Sequence, residues 1–453
     1  MSPRSGEHGA HADIMPGVTH DTRDTYAVIG AGPSGLAAAR NLQKAGIPWS
    51  GYELASGVGG LWDIGGPRST VYESAHLISS KTTTQFAEHP MRADVADYPS
   101  HRELLGYFRN FAETYSLTDG FAFGTEVVSA RPTGDGSWTV VSTGPAGTVE
   151  RRHAGVIAAN GTLSEPSVPA FAGSFDGEMF HTSAYKSPTV LAGKRVLIIG
   201  AGNSGCDIAV DAVHHAASVD MSVRRGYYFV PKYLFGKPAD TLNQGRPLPP
   251  RIKQAIDSRV LKLFTGDPVK FGFPRPDYKI YESHPIVNSL VLHHLGHGDL
   301  AVRPDVRRFA GGEVEFVDGS TSAYDVIVLA TGYHLHYPFL DPALLRWKGR
   351  GSAPDLYLNI FTQEDPDLFV LGMIEASGIG WQGRYEQAEL VAAYLRARSD
   401  NPAAARDFEA RVGGPRPDLS GGYRYLGLER MSYYVNKDAY RSAVRAEIER
   451  LQA

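Results

Sequence analysis

The sequence contains the pattern Gly-x-Gly-x-x-Gly twice, and each copy directly follows a short run of apolar, β-branched residues. The first copy follows Tyr26 to Ile29 and the second follows Val196 to Ile199. The leading glycines, Gly30 and Gly200, are 170 positions apart, and a helix-like stretch comes after each motif. A strand, a glycine turn and a helix in this order bind the pyrophosphate of a dinucleotide. The chain is therefore predicted to be an α/β protein with two Rossmann-like domains.

Composition narrows the function. The 453 residues include 45 Lys+Arg and 49 Asp+Glu, a net charge of −4, whereas nucleic-acid-binding proteins usually carry a basic excess. The apolar runs are strand-sized and much shorter than a membrane span, and the first 24 residues lack the apolar core of a secretory signal. We expect a cytoplasmic protein that binds neither nucleic acid nor membrane.

The first glycine motif has the context that dinucleotide binding requires. Gly30 permits the tight turn, Gly32 lets the backbone approach a pyrophosphate, and Gly35 lets the helix pack on the strand. Glu53 lies at the end of the next predicted strand, where a carboxylate accepts ribose hydroxyls and repels a 2′-phosphate. This site is predicted to hold FAD or NAD rather than NADP. The segment Gly57 to Trp62 is interpreted as backbone against a flavin, with a packed core Trp62 as the alternative.

The second motif, with Gly200, Gly202 and Gly205, differs at the tip of the following strand. Arg224 and Arg225 stand there, and arginine at this position pairs with a ribose 2′-phosphate. The pattern favours NADPH over NADH, although a solvated arginine pair is the alternative. Two dinucleotide sites indicate that a nicotinamide reduces a flavin. The reduced flavin then passes its electrons to a disulfide, to a metal or quinone, or to oxygen.

The single cysteine decides between these acceptors. Cys206 is the only one in the chain, so an internal disulfide, a redox-active cysteine pair and a cysteine-only zinc site are all excluded. His293, His294 and His297 lie close together but lack a convincing set of metal ligands around them. We therefore predict no metal site, and oxygen is the favoured acceptor.

A further segment carries a family resemblance. Phe175 to Tyr185 matches F-x-G-x-x-x-H-x-x-x-Y without a gap, Gly59 to Trp62 reads Gly-Gly-Leu-Trp, and Ala330 to Tyr333 reads Ala-Thr-Gly-Tyr. With both glycine motifs, the chain from Thr25 to Ala397 resembles the class B flavoprotein monooxygenases, specifically the flavin-containing monooxygenases. The resemblance implies that NADPH reduces FAD, that oxygen forms a flavin C4a-hydroperoxide, and that one oxygen atom passes to a small organic substrate.

The resemblance also implies site residues. His181 and Tyr185 stand on the linker between the two folds and are expected to couple nicotinamide position to domain geometry, although a purely structural hinge role for His181 is the alternative. The expected FAD ligands are Gly30, Gly32, Pro33, Ser34, Gly35, Glu53, Gly60, Leu61, Trp62, Ile78, Ser79 and Val127. The expected NADP(H) ligands are Gly200, Gly202, Asn203, Ser204, Gly205, Asp207, Arg224 and Arg225.

One stretch departs from the family pattern. Family members often carry an Asn beside the flavin, in a stretch like Y-x-S-x-x-x-N-x-x-K, but Ile78 occupies that position between Tyr72 and Lys81. We expect the nearby His76 to take the role, as in the group called type II flavin-containing monooxygenases, with a solvent-facing loop histidine as the alternative. That group resembles this chain, accepts NADH as well as NADPH, and performs Baeyer–Villiger oxidation of ketones.

The resemblance also fixes a domain plan. The NADP domain is expected to be inserted into the FAD domain, since Ala330 to Gly332 returns the chain to the flavin. Residues 1–24 would form a disordered arm, 25–165 the first part of the FAD domain, 166–325 the NAD(P)H domain with an irregular excursion from Tyr233 to Asp277, and 326–453 the rest of the FAD domain with C-terminal helices. The expected partners are oxygen, a ketone or an N- or S-nucleophile, and a second copy in a homodimer. A flavoprotein reductase or oxidase without organic oxygenation is the alternative function, with a non-catalytic flavin sensor as the third.

Overall fold

The strands follow the α/β alternation that the two glycine motifs predict. The computed structural model describes residues 21–242 and 248–453, so most of the expected N-terminal arm lies outside the described residues. In chain order the strands are β1 Asp21–Ile29, β2 Trp49–Tyr52, β3 Phe121–Ala122, β4 Glu126–Pro132, β5 Trp138–Gly144, β6 Gly147–Ala158, β7 Glu165–Pro166, β8 Ala172–Phe175, β9 Glu178–His181, β10 Arg195–Ile199, β11 Ser218–Ser222, β12 Tyr233–Leu234, β13 Lys237–Pro238, β14 Ala301–Arg303, β15 Val306–Gly311, β16 Glu313–Phe316, β17 Thr321–Ala323, β18 Val326–Leu329, β19 Tyr333–His334 and β20 Leu368–Val370.

A helix follows each glycine turn, and further helices cover the sheets. Pro33 opens the first helix and fits there, because its missing N–H would have no partner within the helix in any case. The helices are α1 Pro33–Ala45, α2 Lys81–Thr84, α3 His101–Thr114, α4 Asn203–Val213, α5 Pro250–Thr265, α6 Leu290–His297, α7 Gly380–Asp400, α8 Pro402–Val412 and α9 Lys437–Gln452.

The first sheet has the order β3-β2-β1-β6-β5-β4, and β20 also pairs with β6. Strands β1, β2, β3, β6 and β20 run parallel, whereas β4 and β5 form the hairpin expected between Val127 and Val141. Both faces of β1 are covered: Val28 packs in one apolar cluster, and Ala27 and Ile29 pack in another. Burial on both faces explains the uninterrupted apolar run.

The second sheet has the order β14-β11-β10-β18-β9 and is parallel throughout. Strand β18, at Val326–Leu329, lies in this sheet, although the sequence assigned residues from 326 onward to the first domain. The reason is its pairing with β10, which places Val326 beside Val196. The chain rejoins the first sheet later, at β20. A smaller sheet of β17-β16-β15-β8 accompanies the second one.

The two crossings between the sheets lie side by side. Strand β7, on the way out, pairs antiparallel with β19, on the way back, so that Pro166 lies opposite Tyr333. The Thr331 hydroxyl also donates to the Ser167 carbonyl oxygen. The second dinucleotide fold is therefore an insertion held on a two-stranded ribbon.

Two segments differ from expectation. Residues 21–24, assigned to the disordered arm, belong to β1, because Asp21 and Thr22 pair with Arg152 and His153 of β6. The excursion expected to be irregular contains the 16-residue helix α5, which begins at Pro250. Its apolar residues do not form a clean buried stripe, since Ile252 and Ile256 are exposed, and periodicity therefore gave no signal.

The buried His153 predicts loss of stability in acid. Its Nε2 lies 2.7 Å from the Tyr52 hydroxyl and its Nδ1 lies 3.0 Å from the Thr25 hydroxyl. Burial lowers its pKa from 6.5 to about 4. Because the unfolded chain binds the proton more readily, this contribution is complete above pH 6.5 and is lost as the pH falls towards 4, by up to about 3 kcal/mol. Urea denaturation at pH 7 and pH 4.5 measures this loss.

The matched variants are His153→Gln and the exposed His215→Gln. His153→Gln is expected to lower stability at pH 7 and to flatten its dependence on pH, whereas His215→Gln keeps the wild-type slope. An unchanged slope in His153→Gln would contradict the assignment.

Candidate active site

A groove opens at the carboxyl ends of the parallel strands β1, β2 and β6. In open parallel sheets this edge is where ligands bind. Nine of the sequence-predicted FAD residues line it, and they are Gly30, Gly32, Pro33, Ser34, Glu53, Gly60, Leu61, Trp62 and Val127. Further lining residues include Arg68, Asn160, Thr162, Phe339, Gly372, Trp381 and Arg384.

The first glycine turn has no room for side chains. Gly30 has a φ of +104°, and a Cβ there would lie 2.7 Å from the Ala159 carbonyl oxygen. A Cβ on Gly35 would lie 1.7 Å from the Gly30 carbonyl oxygen, so Gly35 serves the packing of α1 on β1 and does not line the groove. Helix α1 begins after Gly32 with no side-chain cap. Its first-turn N–H groups are thus available to a pyrophosphate.

Glu53 ends β2 and supports this turn. Its Oε2 accepts a hydrogen bond from the Ala31 N–H at 2.5 Å, and its Oε1 accepts one from the Ala55 N–H at 2.8 Å. The carboxyl group is buried, and burial raises its pKa. The position at the strand end matches the ribose-binding carboxylate expected from the sequence, and the two N–H bonds add a second task, holding the backbone that faces the phosphates.

Asn160 provides a test of whether the groove fits a cofactor. Its Nδ2 donates to the His336 carbonyl oxygen at 2.7 Å. Its Oδ1 is buried and has no hydrogen-bond partner among the described residues. An acceptor left open in a buried site costs free energy unless a ligand pairs with it. Together with the uncapped helix, this acceptor fits a bound dinucleotide that carries N–H donors, as FAD does.

The second glycine turn repeats the first. Gly200 has a φ of +108°, and its Cβ would lie 2.4 Å from the Ala330 carbonyl oxygen. A Cβ on Gly205 would lie 2.3 Å from the Gly200 carbonyl oxygen, whereas nothing lies within 4 Å of one on Gly202. Helix α4 begins after Gly202, again with no side-chain cap. The open space and the free N–H groups fit a second pyrophosphate.

The two arginines follow β11, the strand beside this turn. The Gly200 N–H donates to the Ser222 carbonyl oxygen at 3.0 Å, and Arg224 comes two residues later with an exposed side chain. Arg225 is half-buried, and its Nε lies 3.4 Å from Asp277 Oδ1. Arg224 therefore has the more accessible guanidinium for a ribose phosphate.

The Asp207 carboxylate, expected to line the NADP(H) cleft, has hydrogen-bond partners within the chain. Its Oδ2 accepts from the Tyr72 hydroxyl at 3.0 Å and its Oδ1 accepts from Asn288 Nδ2 at 2.7 Å. One helical turn later, Asp211 Oδ2 accepts from the Tyr185 hydroxyl at 3.0 Å and from the Ser74 hydroxyl at 2.5 Å. These two carboxylates therefore bind the segment 72–74 and the linker to α4.

The remaining polar residues of this region are engaged in similar contacts. Asn203 Oδ1 accepts from the Val287 N–H at 2.7 Å, and Ser204 stands in the first turn of α4. His181 ends β9; its Nε2 lies 2.9 Å from the Gly332 carbonyl oxygen, and its Nδ1 accepts from the Ser183 N–H at 3.1 Å. His181 thus joins the outgoing linker to the returning one.

The predicted residues of the segment 76–79 lie outside the groove lining. His76 is exposed, and its Nδ1 lies 2.8 Å from the Ser74 carbonyl oxygen. Ile78 is half-buried beside it, and the Ser79 hydroxyl lies 2.7 Å from that of Thr84. His101, a buried imidazole in this part of the chain, has no hydrogen-bond partner for either ring nitrogen among the described residues. His101 begins α3, and no motif in its sequence surroundings gave a functional signal.

Sequence reasoning missed several residues that line the groove opposite the glycine turn. Asn160 to Ser164 follow β6, and the signal was present, since this strand was recognised and ligands bind beyond carboxyl ends. Trp381 and Arg384 were not missed, since the sequence offered them as candidates for the substrate mouth, with a packed Trp381 as the alternative; they come from the start of α7, more than 300 residues from Gly30. The Trp62 and Trp381 rings meet edge to face at 6.0 Å, so both tryptophans are packed and line the groove.

Comparison with known proteins agrees with this geometry. A model of the flavin-binding monooxygenase-like family matches residues 23–407. The chain belongs to this family. The chain is 30% identical over 376 residues to flavin-containing monooxygenase 5 of Mus musculus, covering 78% of this chain and 69% of that protein. It is 31% identical over 376 residues to flavin-containing monooxygenase 2 of Homo sapiens, with the same coverage.

Solved structures share the fold. An open structure of cyclohexanone monooxygenase has a TM-score of 0.72 at 18% identity and covers 94% of this chain and 97% of its own. Cyclohexanone monooxygenase from Rhodococcus sp. Phi1 bound to NADP+ has a TM-score of 0.70 at 19% identity, covering 95% and 98%. S-allyl-L-cysteine S-oxygenase from Allium sativum has a TM-score of 0.63 at 20% identity, covering 94% and 88%.

These findings confirm the two dinucleotide-binding folds and the resemblance on which the functional expectation depends. The protein is an FAD- and NADPH-dependent flavin monooxygenase that uses oxygen and a small organic substrate. None of the helices in the two described ranges combines the length and apolar character that a membrane span requires.

Replacing Glu53 by Ala is expected to weaken FAD binding. The change removes two hydrogen bonds to backbone N–H groups that shape the turn, and hydrogen bonds to charged groups contribute about 1.5–3 kcal/mol each. The FAD content of the purified protein and the FAD dissociation constant measure the loss, which we expect to be at least about tenfold. Glu150→Ala, on the exposed part of β6, is the control and is expected to retain FAD. Full FAD occupancy in Glu53→Ala would contradict this role.

Proposed function

We propose that this monooxygenase holds FAD in the groove beside Gly30 and NADPH at the turn beside Gly200, and that it oxygenates a ketone or a nucleophilic N or S centre. The observation that carries the assignment is the pair of matching glycine turns, each at the carboxyl edge of its own parallel sheet. Bound FAD supplies the hydride acceptor and the oxygen chemistry. The protein's own side chains bind, orient and shield the reacting groups.

Aromatic rings around Trp381 form a wall that is proposed to shield the flavin from water. Trp381 is 6% exposed and packs against Phe108 at 4.5 Å and Tyr107 at 5.8 Å between ring centroids. Trp62 stands beside it at the groove. A rigid apolar wall excludes water from the flavin, and water would divert the activated oxygen into hydrogen peroxide.

Positioning is the task of the linker residues. The Tyr185 hydroxyl donates to Asp211 on α4, and His181 bonds to the returning linker at Gly332. Burial lowers the pKa of His181, which favours a neutral ring that keeps this hydrogen bond. We infer that Tyr185 and His181 fix the nucleotide domain relative to the flavin and take no part in the oxygen transfer.

The role of His76 as a substitute for the family Asn stays a prediction. Its exposure and its bond to Ser74 support an indirect role through the 72–74 segment, which also donates to Asp211. A His76→Ala variant separates the two roles: a flavin contact predicts a rise in hydrogen peroxide per NADPH consumed, whereas an indirect role predicts wild-type coupling. The cytoplasmic location and the homodimer also stay predictions.

The substrate is proposed to enter through a cavity of about 740 Å³ beside the flavin groove. Ser377 and Gly378 line it, and the same segment continues into Trp381 and Arg384 of the flavin groove. Its size falls in the range of small-molecule sites. Four hydroxyl-bearing aromatic rings contribute to its lining, Tyr281, Tyr423, Tyr425 and Tyr434. They suit an aromatic or aliphatic substrate that carries one hydrogen-bonding group.

Arg224→Ala is expected to reduce the preference for NADPH. The guanidinium would pair with the 2′-phosphate, and a charge-assisted hydrogen bond contributes about 1.5–3 kcal/mol. The KM for NADPH is therefore expected to rise about ten- to a hundredfold, with little change in the KM for NADH. Arg307→Ala, an exposed arginine on β15, is the control. An equal rise for both nucleotides would indicate damage to the turn rather than loss of a phosphate contact.

Product analysis tests the proposed oxygenation. The FAD-loaded protein is supplied with NADPH, oxygen and a panel of ketones, sulfides and tertiary amines, and oxygenated product and hydrogen peroxide are both measured per NADPH consumed. A substrate of the proposed class gives product in amounts close to the NADPH consumed, and ester formation from ketones distinguishes Baeyer–Villiger oxidation from N- or S-oxygenation. Stoichiometric hydrogen peroxide with every substrate would favour an oxidase and overturn the proposal.

The single cysteine, Cys206, disfavours the alternative in which the protein is a disulfide reductase. Cys206 is fully buried inside α4, and its Sγ lies 3.6 Å from the Ala201 carbonyl oxygen. Burial also raises the pKa of its thiol. Because the reactive form of cysteine is an accessible thiolate, this residue is unsuited to electron transfer.

A further inference from the structure

A cluster of metal-ligating side chains lies at the C-terminal end of α6, outside both cofactor sites. His294, His297 and Asp299 each present one ligand atom, and these atoms all lie within 4.8 Å of one another. His297 and Asp299 are exposed and His294 is half-buried. No metal is predicted here from the sequence, because the histidines lack a nearby Glu and a convincing set of further ligands. The fold adds the carboxylate.

Backbone geometry sets the position of Asp299. Gly298 has a φ of +82° and ends the helix, with its N–H donating to the Leu295 carbonyl oxygen at 3.3 Å. The Asp299 N–H then donates to the His294 carbonyl oxygen at 3.0 Å. This pair of bonds is the Schellman motif, which turns the chain back over the last helical turn. The next residue, Leu300, is buried, so the backbone of Asp299 is held from both sides.

The distances suit a tetrahedral ion. Asp299 Oδ2 lies 3.0 Å from His294 Nδ1 and 3.7 Å from His297 Nδ1. Zinc binds histidine nitrogen and carboxylate oxygen at about 2.0–2.1 Å, which separates adjacent tetrahedral ligands by about 3.3 Å. The two distances lie on either side of this value. Small rotations of the exposed His297 and Asp299 side chains would therefore complete the geometry.

A third imidazole and the local field add to the site. His214 caps the C-terminal end of α4, and its ring centroid lies 5.2 Å from that of His294. The C-terminal ends of α4 and α6 thus meet at this cluster, and helix C-termini attract cations. Among the described residues, the cationic groups within 4 Å of the Asp299 carboxylate are only His294 and His297. No lysine or arginine there competes with a metal.

We propose that His294, His297 and Asp299 bind one borderline transition-metal dication, for which Zn²⁺ is the reference ion, with His214 or water as the remaining ligand. Two imidazoles and one carboxylate are a ligand set for Zn²⁺, Ni²⁺ or Cu²⁺ rather than for Mg²⁺ or Ca²⁺. With His214 as the remaining ligand, the ion would tie the end of α6 to the end of α4, the helix whose first turn faces the NADP(H) site. Its role is structural, since the cluster lies at the opposite end of α4 from the glycine turn.

Zinc binding to the full-length, untagged, FAD-loaded protein tests the proposal. Titration calorimetry with ZnCl₂ is expected to give one site per chain. His297→Gln and Asp299→Asn are each expected to weaken it about tenfold or more. The adjacent His293→Gln is the matched control and is expected to bind as the wild type does, because His293 is exposed and is not part of the cluster. The histidines of the N-terminal arm are present in every variant, so their binding cancels.

A second measurement separates ligand loss from misfolding. Zn²⁺ is expected to raise the thermal midpoint of the wild type and of His293→Gln, but not that of a His294→Gln/His297→Gln double variant, and EDTA is expected to abolish the rise caused by zinc. Gly298→Ala, which retains every ligand but strains the turn, is expected to weaken zinc binding as well. Equal zinc affinity in the wild type and the double variant would overturn the proposal. Neither readout depends on oxygenase activity, so a failure here is distinct from a failure of the proposed function.

Discussion

Close backbone packing at two glycine turns underlies the architecture. At Gly35 and Gly205 the helix backbone comes so near the preceding turn that a side-chain carbon would lie 1.7 and 2.3 Å from a carbonyl oxygen. This contact presses the start of each helix against the end of its strand, where its N–H groups point at the sheet edge. A larger residue at either position would push the helix away and lose the phosphate site. The remaining features of the active site, including Glu53 and the residues after β6, are arranged around these two turns.

A second arrangement recurs in both dinucleotide folds: an alanine follows the strand that pairs with the first strand of the glycine motif. Ala159 follows β6 and Ala330 follows β18, and each carbonyl oxygen lies against the first glycine of its turn. From these two alanines the chain enters the paired crossings of β7 and β19. The same position therefore serves the phosphate turn and the exit to the other domain. This coupling of turn and hinge explains how a whole nucleotide domain is inserted without disturbing the first sheet.

Local patterns predicted the parts of this protein that depend on local chemistry. The apolar runs, the glycine spacing and the position of Glu53 are short-range features, and they predicted both folds and most of one wall of the flavin groove. Asn160, Trp381 and Arg384 reach the groove through the fold, and no local motif assigns them to the flavin. Asp207 has a task that its sequence position did not indicate, since its carboxylate accepts hydrogen bonds from Tyr72 and Asn288. Asp299 was overlooked because no motif predicts its position over the last turn of α6, which is set by the positive φ of Gly298.

The hydroxyl bonds from Tyr72 and Ser74 to α4 carry a consequence for how the enzyme would move. Both donors belong to the segment that runs on to α2, and both acceptors belong to the helix that begins at the nicotinamide-domain turn. If that domain rotates to bring in or release its nucleotide, it must either pull this segment along or break two hydrogen bonds to carboxylates. Movement of the nicotinamide domain during nucleotide exchange is therefore coupled to movement of the segment 72–74, and the two side-chain hydroxyls provide the coupling.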